Sequence, residues 1–211
     1  MNKSWDSGGD GYQATNDLRL SDYEFTPNNP YLSMPLNALS QPISTRNLTE
    51  SLLQLEASVQ QDSRNLESWL SLGKLQQENE NDAAAIAALR KALEIDASNL
   101  DALLHLAVSY TNENYSSEAY DSLQSWIEMH PKYHEFAPKT GLMAVSQRHQ
   151  VITQAFMRAA MSRPGEDLDD QVQSCLGVLF NISTEYSKAV DCFESAIARR
   201  PDDYQLWNKL G

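Results

Sequence analysis

From Leu48 onward, hydrophobic residues recur at the three- and four-residue spacing of amphipathic helices, and short polar turns separate the helical runs. The helices are predicted to come in pairs, with large and small residues at fixed places in each member. In one pair these places hold Trp69, Leu72, Gly73, Ala85, Leu89 and Ala92. A Gly or Ala where two helices cross allows their close approach, and the large residues fill the groove beside it.

The same arrangement returns further along the chain. A second copy holds Leu103, Leu106, Ala107, Tyr110, Ala119 and Leu123, with Trp126 where a small residue is usual. A third holds Leu176, Gly177, Phe180, Ala189, Phe193, Ala196 and Pro201. The residues that end successive pairs, at 97, 131, 164 and 201, are 34, 33 and 37 positions apart. A helix–turn–helix period of 34 is the signature of tetratricopeptide repeats, so we predict an all-α, right-handed superhelical solenoid rather than an ordinary helical bundle.

Two parts of the chain depart from this period. Four prolines between residues 21 and 47 exclude a long helix there, and the polar residues 1–20 are predicted to be disordered. Pro138 and Gly141 interrupt the first helix of a middle copy, which we interpret as a hinge. The predicted organisation is therefore disorder over 1–20, an irregular lead-in over 21–47, repeats over 48–131, a degenerate repeat and loop over 132–168, and a regular repeat with the first helix of an incomplete one over 169–211.

Composition narrows the possible functions. A net charge of −13 disfavours a nucleic-acid partner and suits basic ligands, although it also serves solubility alone. No apolar run is long enough to predict a membrane span. Cys175 and Cys192 lack metal-ligand spacing and are predicted to be buried, reduced thiols. The sequence shows no nucleotide-binding, hydrolase or metal motif, so we expect no enzyme, cofactor or metal.

A helical solenoid offers a concave surface lined by the first helices of its repeats. Asparagine amides on that surface can both donate to and accept from the backbone of an extended peptide. We therefore single out Asn112 and Asn208, while a helix-capping role for Asn112 remains an alternative. The inward positions are Asp101, Leu104, Val108, Thr111 and Asn112 in one copy, Gln171, Ser174, Val178, Asn181 and Ile182 in another, and Gln205, Asn208 and Lys209 in the last.

Three stretches resemble the receptors that import peroxisomal matrix enzymes. They are LEASVQQDSRNLESW (55–69), LAVSYTNENYSSEA (106–119) and CLGVLFNISTEYSKAVDCFESAIARRPDDYQLWNKLG (175–211). The resemblance covers about residues 21–211 and includes a YEF…NPY motif. It implies binding of C-terminal peptides of the Ser-Lys-Leu type, docking to proteins of the peroxisomal membrane, and a cytoplasmic location with cycling to the peroxisome.

The resemblance also implies a peptide pocket. Its members in this chain are Val108, Thr111, Asn112, Glu113, Tyr186, Asn208 and Lys209. Asn112 is expected to hold peptide backbone, and Glu113 suits the cationic middle residue of the signal. The family has a glycine where Thr184 stands, which puts the approach of Tyr186 in question.

The chain departs from the family at both ends. The family continues with about two further repeats and a helical bundle, and it has a long disordered N-terminal half. Because the chain ends at Gly211, we expect Trp207 and Leu210 to form a hydrophobic patch and peptide binding to be weakened. The alternative function is a tetratricopeptide scaffold or co-chaperone that clamps an acidic C-terminus. That function needs several inward basic residues, and only Lys74 and Lys209 qualify.

Overall fold

The computed structural model of the protein describes residues 22–36, 47–138, 145–162 and 169–199. Eight α-helices lie within these ranges, and no strand occurs in them. The helices are α1 (Leu48–Gln61), α2 (Leu66–Glu78), α3 (Asp82–Ile95), α4 (Leu100–Asn112), α5 (Ser116–Met129), α6 (Val145–Met161), α7 (Asp170–Ile182) and α8 (Tyr186–Ile197). Two short 3-10 turns, Pro30–Ser33 and His134–Phe136, complete the regular structure of these residues. The predicted segment 1–20 lies outside the described residues.

Asparagine and aspartate side chains begin most of the helices. The Asn65 and Asn99 oxygens accept from the backbone N–H groups of Ser68 and Ala102, three residues on. Asp169 does the same for the first turn of α7. Each cap satisfies an N–H group that has no partner inside the helix. Asn65 and Asn99 are 34 residues apart, so the capping asparagine that begins each of these first helices is itself part of the repeat.

The turn inside each helix pair has one shape. Its central residue is Glu80, Asn114 or Thr184, with φ of 55°, 63° and 63°, in the left-handed region. The following residue donates its backbone N–H to a carbonyl five positions back, as in Tyr115 to Tyr110 at 2.7 Å. This bond closes the end of the first helix and turns the chain into the second. The turn therefore keeps its geometry even where Thr184 stands in place of a glycine.

The small residues lie where the helices of a pair cross. A Cβ built on Gly73 would lie 2.6 Å from Leu89 Cγ, and one on Gly177 would lie 2.5 Å from Phe193 Cε1. Both distances are far below van der Waals contact, so a larger residue would push the helices apart. The pairs α2–α3, α4–α5 and α7–α8 pack in this way, and the predicted tetratricopeptide solenoid is confirmed.

The buried residues form two main clusters that meet on α4. One runs from Tyr23 through α1, α2 and α3 to Ala102 and Leu106. The other runs from Leu103 and Leu104 through α5, α6 and α7 to Phe193. Helix α4 also contacts α7 directly, although the degenerate repeat separates them in sequence. Two first helices thus become neighbours across the middle of the array.

The middle segment, residues 130–138, is held by aromatic rings. His130 stacks on Trp126 with centroids 4.6 Å apart and on Tyr133 at 4.5 Å, and Phe156 of α6 lies 5.5 Å from Trp126. Tyr133 donates its hydroxyl to Asp169, the residue that caps α7. Trp126 occupies a slot that is usually small, and its bulk fills space beside this irregular segment. Gly141 and its neighbours 139–144 lie outside the described residues.

Residues 22–36, which we call the strap, precede α1 and pack against it. Tyr23 is buried beside Trp69, and its hydroxyl donates to Glu56 at 2.9 Å. The Thr26 backbone N–H and hydroxyl donate to the same carboxylate, at 3.0 and 3.2 Å. Glu56 is only 1% exposed, so one buried side chain anchors the extended residues 22–26, which precede the 3-10 turn of the strap.

Neither cysteine forms a disulfide, but their environments differ. Cys175 is buried in α7, as expected, whereas Cys192 is only half-buried on α8. Partial burial still raises the pKa of the Cys192 thiol, with Asp191 adding to the effect. None of the described helices has both the length and the apolar character that crossing a bilayer requires.

Candidate peptide-binding surface

Four of the predicted site residues share the C-terminal turn of α4. Asn112 is the last residue of the helix and is exposed, and Glu113 follows as the residue that caps it. The capping alternative for Asn112 is therefore wrong, because Glu113 occupies the cap position and Asn114 adopts the left-handed turn. The Asn112 side chain is left free of a local backbone role.

The Asn112 amide is oriented by an acidic neighbour. Its Nδ2 donates to Asp82 Oδ2 at 2.9 Å, across from the first turn of α3. The other oxygen, Asp82 Oδ1, is buried and has no hydrogen-bond partner. A buried acceptor without a partner is unfavourable unless water or a ligand supplies a donor. Asn112 and Asp82 thus pair where the end of α4 meets the first turn of α3.

Thr111 and Val108 are less available than the sequence suggests. The Thr111 hydroxyl donates back to the Ala107 carbonyl at 2.7 Å, within its own helix. Val108 is buried, as are Ser174 and Val178 on α7. The direct packing of α4 on α7 accounts for this burial, because positions that would face an open groove face another helix instead.

Tyr186 is the first residue of α8 and is 62% exposed. It follows the turn at Thr184, whose left-handed backbone matches the equivalent turns of the other pairs. The Thr184 turn thus has the same backbone shape as the other turns of this chain, although a β-branched residue is strained there. Asn208 and Lys209, and the hydrophobic pair Trp207 and Leu210, lie outside the described residues.

The sequence predicts two inward basic residues, Lys74 and Lys209. Of these, only Lys74 lies within the described residues, and it is already paired. Lys74 on α2 forms an ion pair with Asp101 on α4. Next to it, Gln77 and His105 bond through Gln77 Oε1 and His105 Nδ1 at 2.6 Å. Because Asp101 neutralises Lys74, this part of the surface offers little attraction to an acidic C-terminus.

Asp82 is the residue that sequence reasoning missed. Asp82 lies in the second helix of a pair, whereas the repeat rules place the inward positions on first helices. A signal was available, since the turn length places the first residue of α3 beside the end of the next first helix. No group of three or more potential metal ligands occurs within the described ranges.

The relatives of this chain agree with its architecture. Residues 79–149 match the tetratricopeptide repeat family model. A peroxisomal targeting signal receptor of Yarrowia lipolytica is 40% identical over 204 residues, which is 91% of this chain. The chain is a tetratricopeptide-repeat protein related to the peroxisomal targeting signal receptors. The resemblance found from its sequence motifs is thereby confirmed.

Two further relatives extend the comparison. A peroxisomal targeting signal receptor of Pichia angusta is 38% identical over 98% of this chain, and the human PEX5-related protein is 35% identical over 99% of it. The chain spans between 34% and 38% of the length of these three proteins. The similarity thus includes both irregular regions as well as the regular repeats.

Proposed function

We propose that this chain takes part in receptor binding of C-terminal targeting signals of the Ser-Lys-Leu type, carried by proteins destined for the peroxisomal matrix. The observation that carries the proposal is its 40% identity to a peroxisomal targeting signal receptor over 91% of its length. The chain binds its ligand without catalysis, works in the cytoplasm, and reaches the peroxisome through docking proteins at the membrane.

The end of α4 supports this proposal through its chemistry. The Asn112 amide offers one oxygen to a peptide N–H group while Asp82 holds its nitrogen. Glu113, which follows Asn112 in the chain, adds a second carboxylate to that of Asp82. A signal with a lysine in the middle supplies both backbone N–H groups and an ammonium group, and these complement the acceptors.

The alternative of a scaffold that clamps an acidic C-terminus finds less support. Such a clamp needs free Lys or Arg side chains on the inward face. The Lys74–Asp101 pair removes one of the two candidates that the sequence offered. The carboxylates of Asp82 and Glu113 would repel an acidic peptide.

The test is a fluorescence-anisotropy titration of the chain with a labelled peptide that ends in Ser-Lys-Leu. We expect saturable binding to the free acid and weaker binding to the peptide with an amidated C-terminus. Asn112→Ala should weaken binding about tenfold, the value of one hydrogen bond to a peptide group in a protected site. Asp82→Asn should weaken binding to Ser-Lys-Leu more than to Ser-Ala-Leu.

Gln150→Ala is the matched control, because Gln150 is an exposed amide side chain on α6 rather than on α4. It should leave the affinity unchanged. Equal binding of the acid and the amide, or no effect of Asn112→Ala on a saturable curve, would contradict the proposed site. Absence of saturable binding to either peptide would show that this chain does not bind the signal unaided.

A further inference from the structure

The degenerate repeat is basic, although the chain as a whole is acidic. Residues 130–163 contain five Lys or Arg residues and one carboxylate, Glu135, so their net charge is +4. The whole chain carries −13, so the residues outside this stretch carry −17. Helix α6 lies inside the stretch, and it alone among the eight described helices contains no Asp or Glu. Positive charge is thus concentrated on one repeat of the array.

One face of α6 is open to solvent. The opposite face contains Ile152 and Phe156, which are fully buried. The exposed residues are spaced three or four positions apart and so lie in a single stripe along the helix, which we call the α6 face. They are Gln147, Gln150, Gln154, Met157, Arg158 and Met161.

The last turns of the α6 face present two apolar side chains. Met157 and Met161 are four residues apart, and they are 36% and 64% exposed. Met161 is the most exposed of the large hydrophobic side chains in the described ranges. Neighbouring apolar side chains on an open helix surface gain free energy when a partner covers them. The flexible thioether chain of methionine also adapts to partners of different shape.

Arg158 supplies a positive charge beside these methionines. Its guanidinium lies over the Phe136 ring of the middle segment, 5.9 Å from the ring centroid. It forms no ion pair with the residues that the structure describes, whereas the other arginine of the helix, Arg148, is paired with Asp121 of α5. Stacking on a ring leaves the edge of the guanidinium, with its N–H donors, available to a carboxylate.

The charges around the α6 face favour a narrow partner over a flat one. Helix α5 packs on α6 and exposes Asp121 and Glu128 to solvent. An anionic membrane would also face these carboxylates and would be repelled by the acidic remainder of the chain. A single helix can follow the stripe without covering α5. From Gln147 to Met161 the stripe is about 21 Å long at 1.5 Å per residue, the length of four helical turns.

We propose that the α6 face binds an acidic amphipathic helix of another protein, whose apolar side chains cover Met157 and Met161 and whose carboxylate pairs with Arg158. Amphipathic helices commonly bind through apolar residues at every third or fourth position, which is the spacing of this stripe. The three glutamines add neutral hydrogen-bonding groups along its remainder. The α6 face shares no residue with the candidate peptide-binding surface, so the proposal stands apart from the proposed function.

The test follows the methionine methyl groups of the whole chain by NMR after ¹³C-methyl labelling. The probe is a synthetic helix of about 15 residues, the length of the stripe, with leucine on one face, glutamate beside it and an amidated C-terminus. A second helix has lysine in place of each glutamate. We expect saturable shifts of Met157 and Met161 with a Kd of roughly 100 µM for the acidic helix and at least about tenfold weaker binding of the basic one. Met34, which is exposed on the strap, should not shift.

Two substitutions test the two parts of the α6 face, with Met157 as the reporter. Met161→Ala should weaken binding about tenfold because it removes most of the apolar contact. Arg158→Gln should weaken it about threefold, as expected for an exposed charge pair. Both side chains are exposed, so the chain should stay folded. Met34→Ala on the strap and Arg64→Ala on the turn between α1 and α2 are the matched controls and should leave the affinity unchanged.

Several results would overturn the proposal. They are equal binding of the acidic and basic helices, shifts that spread equally to Met34, absence of saturation at Met157, and an affinity that neither Met161→Ala nor Arg158→Gln changes. Phosphatidylserine vesicles serve as the comparison for a membrane partner. Shifts of Met157 and Met161 with the vesicles but not with the acidic helix would assign the α6 face to lipid instead.

Discussion

The strap and the middle segment both stand where a repeat would place its first helix, but different interactions hold them to the array. The strap is fixed by hydrogen bonds that converge on the single carboxylate of Glu56. The middle segment is fixed by the stacked rings of Trp126, His130 and Tyr133. Hydrogen bonds set the register of an extended chain, whereas ring stacking buries apolar area.

This difference determines how far the loss of stability should spread when a mutation removes the interactions that hold each region. Trp126 and Tyr133 belong to the buried cluster that runs from Leu103 to Phe193, so loss of the aromatic stack lowers the stability of several helices. The strap lies at one end of the array, so loss of its anchor acts mainly on itself. The following predictions test this contrast, beginning with the largest effect.

Trp126→Ala should have the largest effect on the free energy of unfolding. Trp126 is fully buried between His130 and Phe156, and its removal leaves a large cavity that helices cannot close. We expect a loss of about 3–5 kcal/mol, measured by urea denaturation. Met129→Ala is the control on the same helix, since Met129 is exposed and should change stability by less than about 0.5 kcal/mol.

Glu56→Ala should release the strap while leaving the rest of the array folded. The Thr26 backbone N–H loses its only acceptor among the described contacts, which we expect to lower stability by about 1–3 kcal/mol. Limited proteolysis within residues 22–36 should become faster, and hydrogen exchange in α4 should stay the same. Gln54→Ala on the same helix should change neither. Equal acceleration of exchange in α4 would contradict a local role for Glu56.

Acidification should weaken the middle segment more than the strap. Burial lowers the pKa of His130, an effect that Asp169 opposes and Lys132 adds to, and burial likewise lowers the pKa of His149. The unfolded chain therefore binds protons that the folded chain does not, so stability is full above the ordinary histidine pKa of about 6.5 and falls as the pH drops below it.

The measurement is the urea midpoint between pH 7.5 and pH 5.5. In the native chain His130 Nδ1 accepts from the Lys132 N–H, and protonation would remove that acceptor. His130→Phe keeps a ring in the stack and should flatten the pH dependence, at the cost of the bond to Lys132. An unchanged slope in His130→Phe would show that His130 does not carry the effect.

Thr184→Gly should give the smallest change and the opposite sign. Thr184 has φ of 63°, a conformation that glycine adopts without strain. Relief of the strain exceeds the added flexibility of the unfolded chain, so we expect a gain of about 0.5–1 kcal/mol in thermal or urea unfolding. Asn114→Gly at the equivalent turn should gain less, because asparagine already tolerates this region.

The regular repeats could be predicted from sequence because each of their contacts is local. Gly73 and Leu89 meet across one turn, and the same spacing recurs at Gly177 and Phe193. The period therefore predicts the helices, their pairing and the places of close approach. The left-handed residue of each turn also falls at a repeated position, although Glu80 and Thr184 give no compositional sign of it.

The irregular regions and part of the site could not be predicted because their contacts join residues far apart in the chain. Nothing near Glu56 in the sequence indicates that Tyr23 and Thr26 bind it. Likewise, Val108 looked available because the repeat rules place it on the concave face, whereas the packing of α4 against α7 buries it. The alternation of first and second helices predicts contacts between successive repeats. The contact between α4 and α7 instead joins two repeats that are separated by the degenerate one.

The contact between α4 and α7 has a consequence for cooperativity. In an ordinary repeat array each unit is coupled only to the next, so the weakest unit can melt first and divide the array into two blocks. Here a direct contact bridges that weakest unit. Loosening the degenerate repeat leaves the flanking repeats coupled through α4 and α7, and the described helices should then melt in a single transition with one midpoint for all probes.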